Sequence, residues 1–183
     1  LNDENTNVRY NAIEALGKLK AIEAIDVLAD ITESRDFFLA FPALDALKQI
    51  GDPSVTHRII ALLEDDMLRD PAIEVLGQIG DKTAITPLAT LLTLEEPPTT
   101  TIAQAITAIY NRYEELYNEG EQIAALTRRT IAVPMQNLLD TLNKAPEDEL
   151  PAVAQIVGWL LDNTPVEQTL TQLLGKPKAQ KEV

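Results

Sequence analysis

The sequence predicts an all-α fold, a superhelical stack (solenoid) of about five helical hairpins. Three observations predict it. One apolar motif recurs along the chain, each copy keeps the i, i+3, i+4, i+7 spacing of an amphipathic helix, and turn-forming residues fall between copies where antiparallel helices need corners. No alternating strand pattern competes.

The motif reads A-I-E-A-L-G-K-L over residues 12–19, A-L-D-A-L-K-Q-I-G over 43–51 and A-I-E-V-L-G-Q-I-G over 72–80. A fourth copy, A-I-T-A-I-Y, starts at Ala105, and a weaker fifth, V-A-Q-I-V-G-W-L, at Val153. Leu16, Leu47, Leu76, Ile109 and Val157 are the corresponding landmarks, and the first three are spaced by roughly 30 residues, the length of one helical hairpin. Small Ala and Gly within the stripe let neighbouring helices approach closely. Each copy, helix A, is followed by a second stripe, helix B: Ala24, Leu28 and Ile31 in the first hairpin, Ala84, Leu88, Leu91 and Leu92 in the third, Val166, Leu170, Leu173 and Leu174 in the last. The hairpins are expected over about 1–32, 33–65, 66–96, 97–145 and 146–174, with a polar tail over 175–183.

Corner chemistry supports this division. Gly51 suits a left-handed position after a helix, Asp52 an N-cap and Pro53 a first helical turn; Gly80 and Asp81 are expected to repeat the arrangement. Thr164, Pro165 and Glu167 form a capping-box pattern, and Pro97 with Pro98 closes the third hairpin. The opening D-E-N-T-N-V-R from Asp3 to Arg9, followed by A-I-E-A-L-G-K-L, resembles the HEAT-like repeat also found in phycobilisome lyase proteins. The resemblance is strong over residues 3–93. It implies a HEAT-like superhelix whose B helices line the inner surface, with Pro42 and Pro71 in A helices and Pro87 and Pro134 in B helices as matched bends. For Pro71 the residues leave a second reading open, in which Asp70 caps the helix and Pro71 starts it.

Composition bounds the function. With 45% hydrophobic and 4% aromatic residues, the core is aliphatic. Cysteine is absent, which excludes disulfides and thiolate metal sites and is compatible with a cytoplasmic location. A net charge of −14 disfavours nucleic acid and favours a basic or amphipathic protein partner. No apolar run reaches the length of a membrane span, and no signal peptide is visible. The sequence opens on Leu1 inside repeat-like sequence and is expected to be the C-terminal piece of a longer protein. The apolar stripe of its first helix predicts an exposed end or preceding repeats.

No catalytic residue, metal site or cofactor is assigned. His57 is the only histidine, and its position relative to Val55, Ile59 and Leu62 turns it away from the core. Iron-dependent HEAT-like hydroxylases carry several His-Glu pairs, a pattern missing here. Glu64-Asp65-Asp66 and Glu147-Asp148-Glu149 read as a solvated connector and a helix start, without calcium-loop spacing. Phe37 and Phe41 share a face and are expected in the core with Trp159, whereas Phe38 points elsewhere.

The expected activity is that of a protein–protein interaction scaffold, and two surfaces are candidates for the contact. One is the ladder of helix-B positions off the buried stripe: Asp26 and Asp30, then His57, Arg58 and Ala61, then Thr86 and Thr90. The other is an enlargement of the fourth hairpin. Leu76 and Pro87 are 11 residues apart and Ile109 and Pro134 are 25 apart, so about fourteen residues are added. They are expected to lengthen both helices, with Gly120 at the turn. Tyr110, Tyr113 and Tyr117 fall on one face of the lengthened helix A, where they either meet a partner or pack on Ile123 and Leu126; Tyr113 and Tyr117 are the chosen contact residues. The resemblance also implies a second function, a bilin lyase or isomerase subunit.

Overall fold

The computed structural model describes residues 1–34, 36–94, 96–131, 136–144, 146–147 and 150–161. Among these there is no strand. Ten α-helices follow one another: α1 (Thr6–Lys18), α2 (Ile25–Glu33), α3 (Phe37–Ile50), α4 (Thr56–Ala61), α5 (Arg69–Ile79), α6 (Ile85–Leu91), α7 (Thr99–Tyr117), α8 (Gly120–Thr130), α9 (Gln136–Lys144) and α10 (Leu150–Leu160). The fold is an all-α solenoid.

Two rows build it. In the A row, α1 packs on α3, α3 on α5, α5 on α7 and α7 on α10. Each A helix also meets the B helix of the preceding hairpin: α3 meets α2, α5 meets α4 and α7 meets α6. No hairpin buries its apolar stripe alone, so one core runs through the stack, from Ile13 and Leu28 past Leu47, Leu76 and Leu88 to Ile109 and Val157. The A-row contacts are close where two small residues meet. A Cβ added to Gly17 would lie 2.7 Å from Ala46 Cα, and one added to Gly77 would lie 2.8 Å from Ala105 Cα.

The corners repeat as well. A short 3₁₀ turn precedes the B helix in each of the first three hairpins, at Ile22–Ala24, Pro53–Val55 and Lys82–Ala84. Gly51 takes the expected left-handed conformation (φ 82°), and Asp52 accepts from the Ser54 amide at 2.8 Å. Hydrogen bonding from the Ser54 side chain first, and from its amide second, holds the Asp52 carboxyl below its ordinary range. Asp81 caps Thr83 in the same way, at 2.8 Å. Gly80 departs from expectation: its backbone is extended (φ −62°, ψ 149°), with its carbonyl turned toward α7.

Three further expectations need correction. First, the added residues lengthen helix A, as α7, but not a single helix B. The left-handed corner is Asn118 (φ 55°), Gly120 opens α8, and α8 ends at Thr130 before a separate α9. Thr127 and Thr130 turn their hydroxyls onto the carbonyls of Ile123 and Leu126, each at 2.9 Å, which draws acceptors from the helical ladder. Second, Pro71 and Pro87 are third residues of α5 and α6, where the missing amide hydrogen has no helical acceptor to lose. Pro42 alone of the described three is interior, so the prolines are not matched bends; Asp70 is not the cap either, since Leu68 holds that position. Third, Phe41 is exposed rather than buried. It occupies the register place of Tyr10 and Asp70, which faces outward. Phe38 is exposed, its ring 5.5 Å from Tyr10, and Trp159 is buried. Pro134, Asp148, Glu149, the capping box at Thr164, Pro165 and Glu167, the stripe from Val166 to Leu174 and the tail lie outside the described residues.

Candidate partner-binding surface

The B-row ladder begins with a cross-hairpin clamp. Arg58 of α4 reaches back to the first hairpin, donating from Nη2 to Asp30 Oδ1 (2.6 Å), from Nε to Glu33 Oε1 (2.6 Å) and from Nη1 to the Asp26 carbonyl (3.1 Å). The hydrogen bond that Arg58 donates to Glu33 raises the Arg58 pKa, and reciprocally it holds the Glu33 carboxyl below its ordinary range. Arg58 is therefore engaged within the protein and mostly covered. Next to it, His57 is exposed, with Nδ1 3.2 Å from the Ser54 carbonyl. Thr86 and Thr90 follow on α6, both exposed; the Thr90 hydroxyl donates to the Thr86 carbonyl at 2.8 Å. Apart from the clamp the ladder consists of the exposed residues His57, Ala61, Thr86 and Thr90. A cleft of about 560 Å³ beside it is lined by Glu33, Glu64, Asp65 and Asp66. Asp65 serves as a local cap there, accepting from the Met67 amide at 2.9 Å.

The second surface is built by the length of α7. Its last two turns overhang the α5–α6 corner, and Arg112 anchors the overhang. The guanidinium donates to the carbonyls of Gly77 (3.1 Å), Gln78 (2.7 Å) and Gly80, the open carbonyl end of α5. Burial lowers the Arg112 pKa, while the negative end of the α5 dipole favours its charge. The hydroxyl of the next residue, Tyr113, accepts from the Lys82 amide at 3.0 Å. The Tyr117 ring lies 5.4 Å from that of Tyr113. Beneath these side chains is a cleft of about 250 Å³ floored by Gly51, Pro53, Gly80 and Asp81. Leu116 and Tyr117 form its rim and are 65% and 61% exposed. Tyr110 turns the other way: its ring lies 4.9 Å from Trp159 and packs over Gly120. The tyrosines thus divide between two neighbouring hairpins and do not form one cluster on Ile123 and Leu126.

The sequence profile of the PBS lyase HEAT-like repeat matches residues 8–33 and 68–93. Those two stretches are HEAT-like repeats of the phycobilisome lyase type. No curated protein matches it. The two matched stretches coincide with the first and third hairpins, α1–α2 and α5–α6.

Within this HEAT-like array the candidate residues sort by availability. Asp26, Asp30 and Arg58 are brought together, His57 lies beside them, and Thr86 and Thr90 stand one hairpin on. Tyr113 and Tyr117 are joined by two residues the sequence did not single out, Arg112 and Leu116. Leu116 lies seven residues after Ile109, on the stripe itself, so its spacing did not mark it as exposed. Arg112 was not legible either, because its acceptors are backbone carbonyls of another hairpin more than thirty residues away. Among the described residues no group of three or more His, Asp or Glu is gathered to hold a metal ion, and no helix is long and apolar enough to cross a membrane.

Proposed function

We propose that this HEAT-like array is a non-catalytic scaffold that holds a protein partner at the α7 overhang, the partner inserting an apolar side chain beneath Leu116 and Tyr117. The observation that carries the reading is the pairing of two large exposed apolar side chains with a cleft beside them. Exposed aromatic and aliphatic groups rimming a depression are what a protein contact uses as anchors. The net charge of −14 favours a basic or amphipathic segment. Tyr113 supports the site from below, since its hydroxyl is already engaged by Lys82.

The test is affinity capture with the whole chain and a ranked set of variants. Leu116→Glu with Tyr117→Ala changes exposed side chains only and should abolish recovery of a specific partner at unchanged thermal stability. His57→Glu with Thr86→Glu, on the ladder, should leave recovery intact. The opposite ranking would move the contact to the B row.

The repeat type also supports a second reading, a bilin lyase-like subunit. The cleft beside the B row is lined by four carboxylates, which disfavours a chromophore bearing carboxylates of its own. A change in visible absorbance on mixing bilin with the chain would support the lyase reading over the scaffold.

A further inference from the structure

Large apolar side chains gather on the outer face of the A row, where α3 and α5 lie side by side. Phe38 and Phe41 of α3 are 54% and 41% exposed, and Met67, in the turn before α5, is 59% exposed. Phe38 and Met67 hold one register place, since the offset between them is the one that pairs Leu47 with Leu76. A missing neighbour is not the cause: α3 packs between α1 and α5, and α5 between α3 and α7. These side chains face solvent inside a filled stack, and the Phe38 ring extends the patch to Tyr10 on α1.

Carboxylates border the patch. Asp36, Asp45 and Asp66 each have a basic partner, Arg9, Lys48 and Arg69. Asp70 and Glu74, both exposed and one turn apart on α5, have no ion-pair partner among the described residues. Glu74 is also the one ionisable residue lining a cleft of about 310 Å³ between α5 and α7, where Gly77, Ala105 and Ala108 leave room for an aliphatic stem. We infer that this outer face is a docking surface for an amphipathic segment of another protein. Apolar side chains of the segment cover Phe38, Phe41 and Met67, and a lysine or arginine lays its stem in the cleft with its charge at Asp70 and Glu74. Packed helices lie about 8–10 Å apart, so the reach from α3 to the cleft is about 12–15 Å, or two to three turns of a helix. A second copy of the chain is disfavoured as occupant, because it would bring the same carboxylates against these. The inference does not rest on the α7 cleft.

Fluorescence anisotropy with the whole chain tests it. The probe is a labelled helical peptide of about 18 residues, with leucine along one face and lysine beside it. Its binding should weaken about tenfold or more in Phe38→Ser with Met67→Ser, and stay unchanged in Leu116→Glu with Tyr117→Ala. Asp70→Lys with Glu74→Lys should also weaken it, and should bind the matching peptide with glutamate for lysine more tightly than the native chain does. The charge reversal leaves the apolar patch intact, so it decides the matter even where the serine variant is destabilised. Binding of the lysine peptide that is absent, that survives both pairs of changes, or that is lost in Leu116→Glu with Tyr117→Ala would overturn the inference. So would weakening by charge reversal alone while a folded serine variant binds like the native chain, which is general attraction to a net charge of −14. A native chain that sediments as a dimer dissociated by Phe38→Ser would overturn it too, by assigning the patch to a second copy.

Discussion

Lys20 and Gly51 turn the same corner in successive hairpins, both with positive φ, 51° and 82°. A side chain in that region is strained by its Cβ, so Lys20→Gly should raise stability by about 0.5–1 kcal/mol, checked by urea denaturation. Two charged residues have opposite exposures to pH. Glu33 owes its lowered pKa first to the hydrogen bond from Arg58. A carboxyl with a depressed folded pKa contributes stability that is present above its unfolded value, about 4.3, and is lost as pH falls through the folded value. The gap in urea midpoint between pH 7 and pH 3 should therefore narrow in Glu33→Gln; an unchanged gap would mean the clamp does not contribute. Arg112 has no such acid limb, because its acceptors are carbonyls. Arg112→Met strips the donor from the end of α5 and should cost about 2 kcal/mol at any pH between 4 and 9. The Arg58 clamp and the Arg112 anchor were both illegible in the sequence for one reason. Long side chains choose among acceptors by where hairpins stack, and stacking geometry is not written in local spacing.

Helices were legible where their pattern was local. The stripes through Leu47, Leu76 and Ile109 and the Gly51-Asp52-Pro53 corner follow from period and turn chemistry, and the structure has them where expected. The enlarged hairpin was legible only in part. Added length could be counted, but its division into a long α7, a short α8 and a separate α9 turned on Asn118 taking the left-handed corner ahead of Gly120. Phe41 was misplaced because its aromatic character outweighed its register, which matches it to Tyr10 and Asp70. At this scale the decisive contact is the crossing of A helices. Gly77→Leu puts a branched side chain against the Ala105 backbone and should destabilise by about 1–3 kcal/mol or more, measured by thermal melting. Glu74→Leu, on the exposed side of the same helix, should not.

The molecule as a whole is held by neighbour-to-neighbour contacts and carries a net charge of −14. Self-repulsion acts on every hairpin, whereas the described ion pairs are few. Raising sodium chloride from about 0.05 to 0.5 M should therefore raise the thermal midpoint through screening. A fall would mean that the Arg58 clamp outweighs the general repulsion. The α7 overhang adds a mechanical consequence. Arg112 grips the terminal carbonyls of α5 while Leu116 and Tyr117 stand one turn farther out. A cargo tugging on that tip would load the third hairpin directly through the guanidinium, bypassing α6, and the array would yield first by α5 unwinding from its carboxyl end.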